Sequence, residues 1–238
     1  FSKLISDSTD IEFGFANDGD ADRIGVYDSN GKFVDSHHII LLLIHYLNKY
    51  KGYGGKVVVS FTVSNRVKKL CEAYGLPIEV TKVGFKYICE IMINEDVLVG
   101  GEESGGIAIK GHIPERDGVW NALVLMEYMA KSGKSLTELI DEVYQVTGPF
   151  DFDRYDLHIT EELKQRIVKK CTEGAYNSFG PFNVQRVETI DGWKYHFDEE
   201  SWVMIRASGT EPVLRVYSES STTEKVREIL DTVKAILL

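Results

Sequence analysis

The sequence is poor in cysteine and has no long apolar stretch. Its three cysteines, at positions 71, 89 and 171, are odd in number and widely separated, and none has Cys-x-x-Cys spacing. This pattern argues against a disulfide or zinc framework and favours free thiols in a reducing cytoplasm, the location we expect. The longest apolar run covers only residues 39–44, far short of the ~20 residues that span a bilayer. We therefore expect no membrane segment.

Basic residues are scarce relative to acidic ones. Lys and Arg number 27 against 37 Asp and Glu, which gives a net charge of −10. Nucleic acids and anionic membranes bind clustered cations, so neither is an expected partner. The sequence also lacks a G-x-S-x-G elbow, which argues against a serine hydrolase. It begins at Phe1 without a methionine or a signal-like segment, so we expect it to be part of a longer chain.

What is present is an alternation of strand and helix patterns, which is typical of α/β proteins. After Gly148-Pro149 the strand patterns dominate, which predicts a separate, smaller α+β domain. Two Ser-x-x-Glu spacings, at 135–138 and 221–224, predict capping boxes at helix starts. Strands are predicted at 11–15, 24–27, 57–61, 78–80, 97–99, 152–159, 184–190, 193–197, 202–206 and 213–218, and helices at 39–47, 67–74, 86–93, 118–131, 136–145, 161–172 and 222–236.

The turn DGDADR at 18–23 places Asp18, Asp20 and Asp22 at alternate positions. Converging carboxylate oxygens suit a small divalent cation such as Mg²⁺. An EF-hand is excluded, since its sixth position would be Arg23 instead of glycine and its twelfth Ser29 instead of glutamate. Arg23 beside the cation would bind phosphoryl oxygens. The alternative interpretation is a solvated acidic turn.

Three further segments are candidate ligand contacts. Arg206–Pro212 (RASGTEP) combines a guanidinium, hydroxyls and glycine, as a phosphate site requires, and Arg215 is a further candidate contact. Glu102 and Ser104 in GGEESGG can hydrogen-bond neighbouring sugar hydroxyls. Lys86 lies where a helix begins. The alternatives are an ordinary hairpin loop, a charged turn and a solvated lysine.

The order of these motifs resembles that of the α-D-phosphohexomutase superfamily. The matching segments are DGDADR at 18–23, VGFK at 83–86, GGEESGG at 100–106, ERDG at 115–118 and RASGTEP at 206–212. The resemblance implies three parts: the end of a second domain with the metal loop at 1–35, a third, mixed α/β sandwich domain at 36–148, and a fourth, α+β domain of TATA-box-binding-protein-like fold at 149–238.

The resemblance also assigns roles. Asp18, Asp20 and Asp22 would bind Mg²⁺, and Arg23 and Lys86 would act at the reacting group. Sugar recognition falls to Glu102 and Ser104. The non-reacting phosphate would be bound by Arg206, Ser208, Gly209 and Thr210. The substrate implied is a hexose phosphate.

The implied activity is that of a phosphoglucomutase, which interconverts glucose 1-phosphate and glucose 6-phosphate through glucose 1,6-bisphosphate, its intermediate and activator. The superfamily's phosphoserine segment has no counterpart here, so the chain is expected to need the missing N-terminal domains and to be inactive alone. GEES at 101–104 resembles glucose-type members. Gly106 and Phe85 replace histidines of dual-specificity members. The rivals are a phosphomannomutase or dual-specificity mutase, and a non-catalytic phosphosugar-binding protein.

Overall fold

The step from Gly148 to Pro149 divides the chain into two compact units, residues 1–148 and 149–238. The computed structural model describes residues 1–208 and 212–238. None of the helices in these ranges combines the length and the hydropathy of a membrane-spanning segment.

The first unit contains an antiparallel sheet and a mixed sheet, with helices packed on them. Its helices are α1 (Ser2–Ser6), α2 (Ser36–His45), α3 (Arg66–Tyr74), α4 (Phe85–Asn94), α5 (Gly118–Ser132) and α6 (Leu136–Thr147), and a π-helical turn (Tyr46–Tyr50) continues α2. Its strands are β1 (Phe13–Asn17), β2 (Ile24–Asp28), β3 (Phe33–Val34), β4 (Lys56–Ser60), β5 (Ile78–Thr81), β6 (Val97–Gly101) and β7 (Ile107–Ile109).

The mixed sheet has the order β5-β4-β6-β7, with β4 parallel to β5 and β6, and β7 antiparallel to β6. The continuous apolar run in β4 is typical of a parallel strand covered on both faces. At the end of β6, a Cβ on Gly100 would lie 2.5 Å from Ile88 of α4, and one on Gly101 would lie 2.7 Å from Ile40 of α2. Glycine therefore allows both helices to pack closely against the strand end that leads into the GGEESGG loop.

The other sheet of this unit has the order β1-β2-β3. Asn17 pairs with Ile24 at the end of the β1–β2 ladder, so residues 18–23 form the turn between the two strands. The helix α5 contacts both β1 and β2. The acidic segment is thus held between two paired strands that rest on a helix.

The second unit is an antiparallel sheet with helices on one face. Its strands are β8 (Asp151–His158), β9 (Ser178–Phe179), β10 (Phe182–Asn183), β11 (Arg186–Glu188), β12 (Trp193–His196), β13 (Trp202–Ala207) and β14 (Val213–Ser220), and its helices are α7 (Glu161–Thr172) and α8 (Thr223–Leu237). The sheet order is β11-β12-β13-β14-β8, with β9 and β10 paired separately. Apolar residues of α7 and α8 form one core with Val203, Ile205, Leu214 and Val216 of the sheet.

The predicted fold class is confirmed: a mixed α/β unit precedes a smaller α+β unit. The separation of 1–35 from 36–148 stays a prediction.

The capping box predicted at 135–138 is present. The capping box predicted at 221–224 is wrong, because the N-cap of α8 is Thr222, whose side chain accepts a hydrogen bond from the backbone N–H of Lys225. Glu224 is then the second helical residue, one position too early to complete the box.

Candidate functional site

The turn between β1 and β2 brings the three aspartates together. Each of Asp18, Asp20 and Asp22 offers a carboxylate oxygen, and these oxygens lie within 4.8 Å of one another. The turn is tightened by Ala21, whose φ of 59° lies in the left-handed region and whose N–H donates to the Asp18 carbonyl at 3.2 Å. Hard oxygen donors grouped in this way are the ligand type that Mg²⁺ prefers.

The two oxygens of Asp22 have different surroundings. Oδ2 lies 2.7 Å from Nη2 of Arg116. Oδ1 is buried and has no hydrogen-bond partner among the described residues. The nearby Nε of Arg23 lies 3.6 Å away, beyond hydrogen-bond distance. Since a buried carboxylate oxygen without a partner is unfavourable, a cation bound at Oδ1 would satisfy it. The three aspartates therefore fit Mg²⁺.

Arg23 is held beside the aspartates by Asp18. Its Nε donates to Oδ2 of Asp18 at 2.5 Å, and its backbone N–H donates to Oδ1 at 3.2 Å. Desolvation opposes ionisation of Asp18, but the hydrogen bonds and the positive charge of Arg23 outweigh it and lower the pKa of Asp18. The side chain of Arg23 is 51% exposed. It is therefore anchored to the acidic loop and accessible to an anionic ligand.

The GGEESGG loop between β6 and β7 lies against this acidic turn. The N–H of Ile24 donates to the carbonyl of Gly105 at 3.2 Å, and Arg23 forms an isolated β-bridge with Gly106. Gly105 has a φ of +94°, and a Cβ there would lie 2.8 Å from the Ile24 carbonyl oxygen. The glycines of the motif thus allow the two loops to contact through their backbones.

The predicted sugar contacts and Lys86 occupy neighbouring segments of the same unit. Glu102 is buried, and its Oε1 accepts from the N–H of Gly84, the residue before α4, at 2.8 Å. Ser104 is exposed in the turn of the loop. Lys86 is exposed in the first turn of α4, with its Nζ 4.8 Å from the centre of the Tyr87 ring. Glu102 therefore connects the GGEESGG loop to the helix start that carries Lys86.

Arg116 is the residue whose position the sequence did not reveal. The motif ERDG identified its segment, and the structure places its guanidinium on Asp22. The same segment joins the acidic turn through its backbone, since the N–H of Gly118 donates to the Ala21 carbonyl at 2.9 Å. Neighbouring His112 lies 2.9 Å from Asp117, the N-cap of α5. The sequence indicates that Arg116 directly precedes the N-cap of a helix. Residue spacing alone could not identify Asp22 as its partner.

In the second unit, Arg206 and Arg215 are cross-strand neighbours on β13 and β14. Nε of Arg206 donates to Asp191 at 3.1 Å. Nε of Arg215 is buried, lies 3.9 Å from Asp156, and has no hydrogen-bond partner in the described part of the chain. Like charges directly opposite on a sheet repel each other. Asp191 and Asp156 offset part of that repulsion, and the role of the two arginines as phosphate contacts stays a prediction.

The other predicted phosphate residues follow β13. Ser208 is buried, its N–H donates to the Val213 carbonyl at 2.9 Å, and its carbonyl accepts from Nζ of Lys164 at 3.2 Å. Lys164 was not among the residues predicted from the sequence. Gly209 and Thr210 lie outside the described residues.

Two family models match the chain. Residues 35–147 match "Phosphoglucomutase/phosphomannomutase, alpha/beta/alpha domain III", and residues 160–236 match "Phosphoglucomutase/phosphomannomutase, C-terminal domain". The two models cover most of both structural units.

Individual relatives agree with these matches. A phosphoglucomutase/phosphomannomutase of Thermococcus kodakarensis is 35% identical over 223 residues, 92% of this chain and 46% of the relative. A phosphoglucosamine mutase of Rubrobacter xylanophilus is 33% identical, covering 95% of this chain and 47% of the relative. A solved structure described as a phosphomannomutase from Thermus thermophilus has a TM-score of 0.84 at 33% identity, over 99% of this chain and 48% of that one. The chain spans about half the length of the relatives it matches.

Proposed function

Because the chain belongs to the phosphoglucomutase/phosphomannomutase family, we propose that it supplies the metal, sugar and phosphate loops of an enzyme that interconverts glucose 1-phosphate and glucose 6-phosphate. The observation that carries this proposal is the convergence of DGDADR, GGEESGG and ERDG, distant in sequence, around Asp22. Phosphoryl transfer in this proposal also requires a serine-bearing region outside these 238 residues.

The acidic turn is proposed to act at the transferred phosphoryl group. Asp18, Asp20 and Asp22 would hold Mg²⁺, which when bound supplies positive charge against the phosphoryl oxygens. Arg23, held by Asp18 and half-exposed, would donate to the same oxygens and stabilise charge that develops in the transition state. Lys86, exposed at the start of α4, would add a further cation at the reacting end of the substrate.

The remaining loops are proposed to orient the sugar phosphate. The carboxylate of Glu102 and the hydroxyl of Ser104 would bind adjacent sugar hydroxyls. Arg206 and Arg215, with Ser208, would bind the phosphate that does not react. Binding of this remote phosphate would provide energy for positioning the reacting end of the substrate. The same contacts would also accept glucose 1,6-bisphosphate, the proposed intermediate and activator, in either orientation.

Glucose is the proposed sugar on the strength of GEES at 101–104, which resembles glucose-type members. A phosphomannomutase or dual-specificity activity is the second candidate, supported by the names of the Thermococcus and Thermus relatives. Against it, Gly106 stands where dual-specificity members carry histidine, and the space that a side chain would enter there is occupied by Cδ of Arg116. The cytoplasm is the proposed location, which free thiols at 71, 89 and 171 support.

The test is a coupled mutase assay on two proteins. One is this chain, and the other is the longer protein expressed with the coding sequence upstream of residue 1. Glucose 1-phosphate, mannose 1-phosphate and glucosamine 1-phosphate are compared, with Mg²⁺ and glucose 1,6-bisphosphate present. We expect turnover from the longer protein only, with the highest kcat/KM for glucose 1-phosphate and a loss of about 100-fold or more in Asp20→Asn.

Two other results would overturn parts of the proposal. A higher kcat/KM for glucosamine 1-phosphate or mannose 1-phosphate would contradict the choice of sugar. Binding of sugar phosphate without turnover by the longer protein would favour a non-catalytic binding protein instead.

A further inference from the structure

The carboxylate of Asp22 is bound asymmetrically. Its Oδ2 is engaged by Nη2 of Arg116 at 2.7 Å. Its Oδ1 is buried, has no hydrogen-bond partner among the described residues, and lies 3.6 Å from Nε of Arg23, which also contacts Asp18. A carboxylate with one oxygen occupied by a guanidinium offers a single oxygen to a cation. Arg116 thereby restricts how Asp22 can act as a ligand.

The position of Arg116 depends on two residues that lie far from it in sequence. Its guanidinium carbon lies 5.3 Å from the centre of the Phe85 ring, within the range of a cation–π contact. Its stem passes so close to Gly106 that a Cβ there would lie 2.6 Å from Cδ and 3.3 Å from Cγ of Arg116. Among the described residues, its other charged contact is Glu115, whose Oε1 lies 3.3 Å from Nε. Phe85 supports the guanidinium, and the absence of a side chain at 106 leaves room for the stem.

The number of oxygens that each carboxylate supplies affects cation choice. Mg²⁺ requires compact, near-octahedral coordination at ~2.0–2.1 Å, whereas Ca²⁺ accepts 6–8 oxygens at ~2.3–2.6 Å and often takes both oxygens of one carboxylate. A one-oxygen Asp22 favours Mg²⁺. An unrestrained Asp22 could bind through both oxygens and would favour Ca²⁺.

We propose that Arg116 is a positioning residue that keeps Asp22 a one-oxygen ligand, and that Phe85 and Gly106 hold Arg116 in place for this role. The inference rests on the metal site of the proposed function. It assigns to positions 85 and 106 a task in the choice of cation, separate from any contact with sugar.

A simple ion pair is the competing explanation. If Arg116 only lowers the negative charge of the acidic turn, its removal strengthens the binding of Mg²⁺ and Ca²⁺ by the same factor. If Arg116 positions Asp22, the ratio of the two affinities changes. The ratio therefore distinguishes positioning from charge.

The experiment is a ¹⁵N NMR titration of the 238-residue chain with MgCl₂ and, separately, CaCl₂, following the amides of residues 18–23. Arg116→Met removes the charge and keeps an unbranched apolar stem. Gly106→Ala keeps the charge and displaces the arginine through the close contact with Cδ. Gly54→Ala is the matched control, since a Cβ at Gly54 meets nothing within 4 Å. Spectral dispersion verifies that each variant is folded.

We expect the ratio of Ca²⁺ to Mg²⁺ affinity to rise about tenfold in both Arg116→Met and Gly106→Ala, which corresponds to ~1.4 kcal/mol, and to stay unchanged in Gly54→Ala. If the wild-type chain binds Mg²⁺ at the loop but neither variant changes the ratio, the positioning role is refuted and the proposed metal site stands. If the wild-type loop responds to neither cation, the proposed metal site fails, and the inference fails with it.

Discussion

Gly105 is the residue at which the contact between the two loops is most constrained. Its φ of +94° disfavours any side chain, and an added Cβ would lie 2.8 Å from the backbone oxygen of Ile24. We expect Gly105→Ala to lower the free energy of unfolding of the first unit by about 2 kcal/mol. Urea denaturation followed by circular dichroism measures this loss. Gly54→Ala, which adds the same methyl group in open space, should change stability little, and equal effects of both variants would contradict the proposed constraint.

His196 on β12 makes the stability of the second unit depend on pH. Burial lowers the pKa of His196, the positive charge of Arg186 adds to this effect, and nearby Glu188 opposes it. Below about pH 6.5 the unfolded chain binds a proton that the folded histidine binds less readily. Stability should therefore fall as the pH falls below that value.

The measurement is urea denaturation of the wild type and His196→Gln between pH 7.5 and pH 5, about the window in which a free histidine titrates. Every histidine of the unfolded chain titrates in this range, so the difference between the two proteins isolates the contribution of His196. We expect a steeper loss of stability with acid in the wild type. Identical pH dependence of the two proteins would show that His196 does not contribute.

At the scale of elements, the start of α8 provides a direct test of helix capping. Thr222 is the N-cap and its side chain accepts from the N–H of Lys225 at 3.3 Å, although the sequence pattern favoured Ser221. We expect Thr222→Ala to lower the free energy of unfolding by about 1 kcal/mol and Ser221→Ala to have a much smaller effect. Thermal and urea denaturation of both variants provide the comparison, and the reverse order of effects would restore the sequence-based assignment.

Longer elements were predictable because their periodicity extends over several turns or strand residues. The pattern of Leu136 to Thr147 identified α6, and the apolar run in β4 identified a buried strand. Short elements such as α1 and the hairpin of β9 and β10 contain too few residues for a period to be recognised. Their formation depends on packing against neighbouring segments, which local sequence does not describe.

The candidate site was predictable in part, because some of its motifs are also local in sequence. The alternating aspartates and the GGEESGG glycines are local patterns whose chemistry can be inferred from residue type. The contact between Arg116 and Asp22 is not local, because it depends on how β7 and the following loop return toward the β1–β2 turn. The sequence identified ERDG as a motif, and only the three-dimensional structure connects it with the acidic turn at 18–23.

At the scale of the whole molecule, the chain consists of two units, which match domains III and IV of the family. It spans about half the length of the relatives it matches. The proposed division of labour assigns metal and sugar contacts to the first unit and phosphate contacts to the second. We expect the 238-residue chain alone to give no mutase turnover in a coupled assay, since the phosphoserine segment has no counterpart in it. Turnover that persists after further purification would contradict this expectation.

The most direct test of the proposed function is calorimetric titration of this chain with glucose 1-phosphate, repeated with Arg206→Ala and with mannose 1-phosphate. We expect weak, saturable binding of glucose 1-phosphate with a Kd of about 1 mM. Binding should be at least about tenfold weaker in the variant, because a charge-assisted contact to phosphate is lost, and it should also be weaker for mannose 1-phosphate. Binding that is unaffected by Arg206→Ala, or no binding at concentrations well above that Kd, would refute the proposed phosphate contact of Arg206.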